Sequence, residues 1–361
     1  MTLYKHNDHP NSFVSLLRRL YNPIGFKKGY NFTLFFILAG ALFGFSLASS
    51  PKMNVNGYLL SHTAPGEAYW YRKPFHKTAI SLHLTGAIPA SLLVVWQFVP
   101  VIRYKALIFH RINGYAVLLF LLVGNIGALI SARHAFGGSL AVQTAVGVGV
   151  IATTTSSVLA YVNMKKLQIE QHRAWMLRTW IWAGSIITVR LIQVMSVQII
   201  SKTGSYRTVM PCAQIDGAGG DVAKYAGCQV DPEGYAVVNA TWAGAGGIEA
   251  VAGAFHVTFV MALWLAFFIH AVGVELYLRL TTAEAERLRK VSYERQLERG
   301  MIQPGSAGLT SDRLGDCGPW RMPVDKVQDA AVGDRKVHGP VVDSESASDI
   351  SKPAAVLGWG K

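Results

Sequence analysis

The sequence predicts an all-α fold, a polytopic membrane bundle of six transmembrane helices with both termini in the cytoplasm. Hydrophobic residues make up 51% of the 361 residues, and the mean hydropathy is +0.29. Only 15% of the residues are charged, against about 25% in soluble domains. A hydrocarbon core about 30 Å thick requires about 20 apolar residues per helix. Six segments meet this requirement, at about 31–49, 78–101, 112–131, 140–162, 175–200 and 250–278.

The net charge of +13 reflects membrane topology, because Lys and Arg cluster at the ends of the apolar segments. The partners that this pattern predicts are membrane lipids, and no nucleic acid. The loops 1–30, 102–113 and 163–178 are richer in Lys and Arg than the alternate loops. Basic loops stay in the cytoplasm, so the N-terminal arm 1–30 and the chain after residue 278 are predicted to be cytoplasmic.

The loop 201–249 then lies on the outer side of the membrane. Cys212 and Cys228 in this loop predict a disulfide in an oxidising compartment, with two free thiols as the alternative. Asn239-Ala240-Thr241 is an acceptor triplet for N-glycosylation, with an unmodified asparagine as the alternative. Together these features favour the integral membrane of a secretory-pathway compartment or the plasma membrane.

The chain after the last span predicts two different structures. Residues 279–300 are charged with apolar residues at helical spacing, which predicts a cytoplasmic helix. After Gly300 the composition shifts to Gly, Pro, Ser, Asp and Ala, with few large apolar residues. Such a composition predicts a disordered tail as far as residue 361.

Histidines within or beside the spans are the strongest candidates for chemistry. His256 and His270 in span six are separated by a rise of about 21 Å and nearly four whole turns, so both rings point to one side of the helix. Membrane b-type cytochromes hold haem iron by axial imidazoles in this way. The pattern predicts heme b, with His83 and His256 at an outer site and His110, His172 and His270 at an inner site. Histidines that only hydrogen-bond headgroups, water or carbonyls are the alternative.

Arginines form the second group. Arg190 lies deep in span five, where an unpaired charge costs several kcal/mol, so it is predicted to face the bundle interior or a wet cavity. Arg111, Arg173 and Arg190 are predicted to hold haem propionates or an anionic substrate. For Arg173 the alternative is binding of lipid phosphates. The sequence contains no P-loop, nucleophile elbow, zinc-protease motif or dinucleotide fingerprint, so a redox function requires an external electron donor.

Several of these residues form motifs that resemble a known family. The motifs are His83-xx-Gly86, Trp96-Gln97-Phe98-x-Pro100-xx-Arg103, His110-Arg111-xx-Gly114, His172-Arg173-x-Trp175-Met176-x-Arg178 and Val189-Arg190. Over about 78–195 the chain resembles the membrane-protein family called domain of unknown function 2306, and the Gly-rich outer loop and the tail are similar to its fungal members. The resemblance implies a polytopic helical bundle with an affinity to ascorbate-reducible and ferric-reductase b-type cytochromes. This chain differs from those cytochromes in having no histidine in span four.

Three functions are compatible with these patterns. The first is a haem-binding carrier that moves electrons across the membrane. The second is a non-enzymatic membrane protein that binds or moves a lipophilic small molecule alongside a biosynthetic pathway. The third is a membrane-embedded cyclase that uses Glu249, Glu275 or a histidine as its acid. The predicted spans one to five contain no carboxylate, which disfavours the cyclase.

Overall fold

The computed structural model describes residues 12–243 and 246–322. The chain divides into one compact unit that ends at Gly318 and a second unit, Pro319–Lys361. All the helices and strands described here belong to the first unit. Residues 323–361, most of the tail that the sequence predicts to be disordered, lie outside the described residues.

Helices dominate the described chain. In order they are α1 (Ser12–Tyr21), α2 (Gly29–Ser49), α3 (Leu60–His62), α4 (Ala68–Tyr71), α5 (Pro74–Gln97), α6 (Pro100–Lys105), α7 (Leu107–Ser131), α8 (Leu140–Lys165), α9 (Ile169–Ala183), α10 (Ser185–Thr203), α11 (Cys212–Gly217), α12 (Ala226–Val230), α13 (Gly247–Leu280) and α14 (Thr282–Glu298). Two antiparallel strands, β1 (Arg207–Pro211) and β2 (Tyr235–Asn239), form a hairpin.

Among residues 12–243 and 246–322, six helical segments are long and apolar enough to cross a membrane, which confirms the predicted all-α class and the number of spans. Their bounds are Gly29–Met53, Pro74–Gln97, Leu107–Ser131, Leu140–Lys165, Ile169–Thr203 and Gly247–Leu280. Span five consists of α9 and α10, which meet at Gly184. It begins earlier than its apolar residues suggest and includes the buried Glu170. Glu170 precedes the apolar run 175–200, which contains no carboxylate, as the sequence predicts.

Spans two and three pack backbone against backbone. A Cβ atom added at Gly86 would lie 2.2 Å from the Gly124 nitrogen, and one added at Gly127 would lie 2.2 Å from the His83 nitrogen. Small residues permit such contact between helices in lipid, where dispersion and hydrogen bonding replace the hydrophobic effect. The three glycines therefore fix α5 and α7 as one close pair and set the position of His83.

Hydroxyl and amide groups join the other spans. Ser156 on α8 and Thr179 on α9 share a hydrogen bond of 2.7 Å between their hydroxyl oxygens. Asn125 on α7 donates from Nδ2 to the hydroxyls of Thr153 and Thr154 on α8, at 3.1 and 2.9 Å. These bonds satisfy polar groups within the apolar bundle, and so they align spans three, four and five.

The loop between spans five and six forms a small lobe. Its two strands pair from Arg207 opposite Asn239 to Pro211 opposite Tyr235. Met210, Ile215 and Val238 are almost fully buried beneath the hairpin. Cys212 and Cys228 form a disulfide with their Cα atoms 5.5 Å apart, the bond that the sequence predicts. The lobe is thus an ordered cap on the end of the bundle where α13 begins.

After α14 the chain folds back onto the connection between spans four and five. Gln168 and Gln296 are both fully buried, and Gln296 Nε2 donates to Gln168 Oε1 at 2.9 Å. The Gln168 oxygen also accepts from the Gly308 N–H, and the Gln296 oxygen accepts from the Gly305 N–H. The prediction of disorder from Gly300 onward therefore starts too early, because buried amide side chains satisfy this glycine-rich backbone.

Candidate functional site

A buried acid lies at the end of the bundle beneath the lobe. Glu67, in the turn before α4, is 1% exposed. Its Oε1 atom is hydrogen-bonded to Nε2 of His256 on α13 at 3.1 Å, and both carboxylate oxygens accept the Phe136 N–H at 3.1 Å. The chain thus provides partners for the carboxylate from the ends of spans three and six. We refer to Glu67, His256, Arg190, Gln193 and Tyr71 as the Glu67 cluster.

The turn after α7 places the Phe136 N–H against the acid. Phe136 has a φ of 48° and Gly137 a φ of 84°, the left-handed conformations that a tight reversal requires. A Cβ atom at Gly137 would lie 3.1 Å from Nδ1 of His256. That nitrogen is buried and has no hydrogen-bond partner in the part of the chain that the structure describes. Gly137 therefore leaves room for the histidine ring.

Arg190 occupies the centre of the same cluster. Its guanidinium lies 5.1 Å from the centroid of the Phe136 ring and 5.7 Å from that of Phe259. It donates to Gln193 Oε1 at 2.9 Å, and the Gln193 amide nitrogen donates to the Phe255 carbonyl at 3.2 Å. Arg190 forms no ion pair with a carboxylate of the described residues. As the sequence predicts, it faces protein in the interior of the bundle.

The charge of Arg190 reaches several titratable groups. It acts on Lys52 at the end of span one, on His83 in span two and on Tyr71 in α4. Desolvation and the carboxylate of Glu67 raise the pKa of Tyr71 far above its usual value, although Arg190 opposes the shift. The tyrosine therefore remains a neutral hydroxyl donor. The sequence assigns His83 and His256 to an outer site and Arg190 to propionates or an anionic substrate; in the structure, the charge of Arg190 acts on His83.

A second polar group, the His110 cluster, lies at the opposite end of the bundle and contains Arg103, His110, His172 and Arg173. His172 at the start of span five has its Nδ1 atom 3.0 Å from the Ala160 carbonyl oxygen. His110 at the start of span three has a buried Nδ1 atom without a hydrogen-bond partner among the described residues. The two rings are close enough for their charges to interact.

Arginines surround this histidine pair. Arg173 donates to the Tyr277 hydroxyl at 3.2 Å, which in turn donates to Asn31 Oδ1 at 2.9 Å. Arg103 acts electrostatically on both His110 and His172. Desolvation by the surrounding protein lowers the pKa of Arg103, and the charges of Arg173 and Arg287 act in the same direction. The cluster therefore holds two arginines and two imidazoles, and the carboxylate of Glu284 on α14 acts electrostatically on both Arg103 and Arg173.

The remaining predicted residues lie apart from these clusters or are already bonded. His270 has both ring nitrogens occupied, Nδ1 by the Ile181 carbonyl at 2.7 Å and Nε2 by the Thr188 hydroxyl at 2.8 Å. Arg111 is exposed next to His110. Asn239 is exposed on β2, where its side chain accepts a hydrogen bond from Arg207 at 3.0 Å. Within residues 12–243 and 246–322, no three His, Cys, Asp or Glu side chains form a group that fits a metal ion.

The sequence does not point to Glu67, Tyr71, Arg103 or Tyr277 as functional residues. Glu67 stands in a loop rich in Pro and aromatic residues, which predicts a position at the membrane surface. The one available signal is that Glu67 is the only acidic residue between residues 50 and 77. Arg103 appears in a family motif without a role attached. Their significance depends on tertiary contacts with distant spans.

The fold and the two clusters define a six-span helical membrane protein with buried polar groups at both ends of its bundle. Residues 80–215 match the model of the family described as "Predicted membrane protein (DUF2306)", which confirms the resemblance based on the histidine–arginine motifs. A protein of Aspergillus versicolor, "Ava biosynthesis cluster protein G", is 26% identical over 323 residues, covering 75% of this chain and 95% of that protein. No solved structure matches the chain.

Proposed function

We propose that this protein is a membrane haem protein of the electron-carrying type, in which His110 and His172 hold the iron of one heme b. The histidine pair itself is the observation that supports the proposal. The Nδ1 contact of His172 with the Ala160 carbonyl is the arrangement that fixes a metal-binding imidazole and leaves Nε2 for the metal. The buried Nδ1 atom of His110 has no partner among the described residues, so this ring is free to turn toward a ligand.

The arginines of the His110 cluster suit the same cofactor. Two propionates carry negative charge; Arg103 acts electrostatically on both histidines, and Arg173 directly follows His172 in the chain. Arg173 is held in place by Tyr277, so its guanidinium is oriented before a ligand arrives. When bound, the haem supplies one-electron transfer. The chain would hold the iron through the imidazoles of His110 and His172 and would balance the propionate charge with arginines.

The proposal requires one haem and fewer ligands than the five histidines that the sequence suggests. His270 offers no unoccupied ring nitrogen. Nε2 of His256 is hydrogen-bonded to Glu67, and its Nδ1 atom faces the backbone at Gly137. The His83 ring has Nδ1 bonded to the Gly124 carbonyl at 3.0 Å, but span four supplies no second histidine. These contacts favour a single site at the His110 end.

The visible absorption spectrum of the purified protein tests the proposal. With haem supplied during expression, the dithionite-reduced protein should show the sharp α and β bands of six-coordinate haem. His110→Ala and His172→Ala should each remove them, whereas His270→Ala, the matched control, should retain them. A colourless wild-type protein with full helical content would overturn the proposal, and so would unchanged bands in both His110→Ala and His172→Ala.

The biological setting is also part of the proposal. The relative from Aspergillus versicolor is named for a biosynthesis cluster, which supports a role alongside a biosynthetic pathway. The disulfide between Cys212 and Cys228 supports an oxidising compartment on that side, in a secretory-pathway membrane or the plasma membrane. The cyclase alternative is less well supported, because both oxygens of Glu275 accept hydrogen bonds from Arg178 and Glu249 is buried near Lys224.

A further inference from the structure

The Glu67 cluster carries a positive charge that the protein does not neutralise by contact. Arg190 donates to an uncharged amide, Gln193, and lies against the rings of Phe136 and Phe259. Charged side chains within membrane spans are costly and commonly mark the path or the binding site of a ligand. An arginine in such surroundings requires an anion, and the question is which group supplies it.

Glu67 is already occupied and does not serve as that anion by contact. Its two carboxylate oxygens accept the Phe136 N–H, and Oε1 is also bonded to His256. Lys52 lies within electrostatic reach of Arg190 and adds a second cation. Glu67 acts on Arg190 electrostatically, but no carboxylate of the described residues contacts the guanidinium. The guanidinium can therefore accept one more anionic group.

The groups around Arg190 define the chemistry of that anion. A planar guanidinium donates two parallel hydrogen bonds to a carboxylate. The Phe136 and Phe259 rings stack with their centroids 4.2 Å apart and present an apolar wall beside the guanidinium. Tyr71 remains protonated and supplies a neutral hydroxyl. A lipophilic body with one carboxylate complements these three features together.

We propose that the Glu67 cluster binds the carboxylate of a lipophilic small molecule, with Arg190 as the anchoring residue. This inference goes beyond the proposed haem site and does not rest on it, because the two clusters lie at opposite ends of the bundle. The Glu67–His256 pair supports the site by holding the Phe136 turn against the guanidinium.

Equilibrium binding of radiolabelled decanoate to the full-length protein in nanodiscs tests the proposal. The wild-type protein should bind decanoate saturably, and 1-decanol, which has the same chain without the charge, should not compete. Arg190→Gln should weaken binding about tenfold or more, as expected for the loss of a charged hydrogen bond. Lys202→Gln removes an exposed cation from the same helix and should leave binding unchanged. His110→Ala should also retain binding, which separates this result from the haem test.

Two outcomes would overturn the proposal: equal binding by the wild type and Arg190→Gln, or equal competition by 1-decanol. If Arg190→Gln does not fold, the variants Arg190→Lys and Lys52→Gln test the site instead. The first keeps the charge but loses the planar guanidinium, and the second removes the cation of Lys52, whose charge interacts with that of Arg190. Both should weaken decanoate binding, and unchanged affinity in both variants would reject the site.

Discussion

Glu67 and His256 are 189 residues apart in the sequence and 3.1 Å apart in the structure. Their contact links the turn before α4 to α13. The Phe136 N–H, in the turn after span three, donates to the same carboxylate. Both side chains are almost fully buried. A buried polar pair of this kind is costly to break, because the partner that remains loses water without gaining another hydrogen bond.

Glu67→Ala should therefore destabilise the protein by about 3 kcal/mol. The change leaves the Phe136 N–H and His256 Nε2 without an acceptor in a buried position. Unfolding in detergent, followed by loss of helical signal, measures the effect. Glu233→Ala removes an exposed acid from the lobe and should change stability by less than about 0.5 kcal/mol. In the double variant with His256→Ala the two losses should not add; strict additivity would contradict the pair.

The contact between α5 and α7 gives a second prediction. Gly86→Ala places a Cβ atom 2.2 Å from the Gly124 nitrogen and 2.5 Å from its Cα atom. Neither backbone atom can turn aside as a side chain does, so the two spans must separate. We expect a large loss of monodisperse protein on size-exclusion chromatography. Gly147→Ala on α8 has nothing within 4 Å of the new atom, so it should retain the wild-type yield. Equal yields of the two variants would contradict the close contact.

The histidine after span three should make stability depend on pH. His134 stacks on Trp70 with ring centroids 3.9 Å apart. Desolvation, together with the charges of His76, Arg133 and Lys73, lowers the pKa of His134 from 6.5 to about 4. The unfolded chain therefore binds the proton more readily than the folded one. This contribution to stability is complete above about pH 6.5 and declines as the pH falls toward 4.

The unfolding midpoint measured between pH 7.5 and pH 5 tests this dependence. His134→Phe keeps a ring against Trp70 but does not titrate, so the decrease in midpoint on acidification should become smaller. His62→Phe is the control, because His62 also stacks on an aromatic ring, Tyr58, at 3.9 Å. If acidification lowers the unfolding midpoint of His134→Phe as much as that of the wild type, then the proton responsible binds to another group.

Membrane orientation gives the fourth prediction. With the lobe on the outer side, Asn239 is exposed to the glycosylation machinery, and the protein should show a glycosidase-sensitive shift in mass. Asn239→Gln should remove the shift, and Asn31→Gln, at the other end of the bundle, should not. A tag after Lys361 should resist protease added from outside intact cells. Digestion of that tag would show that the protein has the opposite orientation in the membrane.

The six spans are predictable because each depends on composition within one segment. Apolar runs of this length have few alternatives to a membrane helix, and their number and order agree with the structure. The family resemblance is predictable for a similar reason, since His110-Arg111 and His172-Arg173 are local motifs. The fold class can therefore be predicted from local sequence, without knowledge of tertiary contacts.

The functional clusters are less predictable because they join distant segments. Helical spacing aligned His256 with His270 on one face, yet three of their four ring nitrogens are already bonded, to Glu67, Thr188 and a backbone carbonyl. The importance of Glu67 arises only when the loop before α4 meets α13. The same holds after α14, where the composition predicts disorder but Gln168 supplies hydrogen bonds from another part of the chain.

The glycine contact between α5 and α7 also determines how this molecule can move. Because the backbones of α5 and α7 are in contact, the two helices cannot slide past each other by rearranging side chains. They form one rigid helix pair, called here the plate. His83 belongs to that plate, whereas Arg190 and His256 belong to spans five and six. Any opening of the Glu67 cluster must therefore occur along the seam between the plate and those two spans. In the proposed carboxylate site, this boundary is where a ligand would enter or leave.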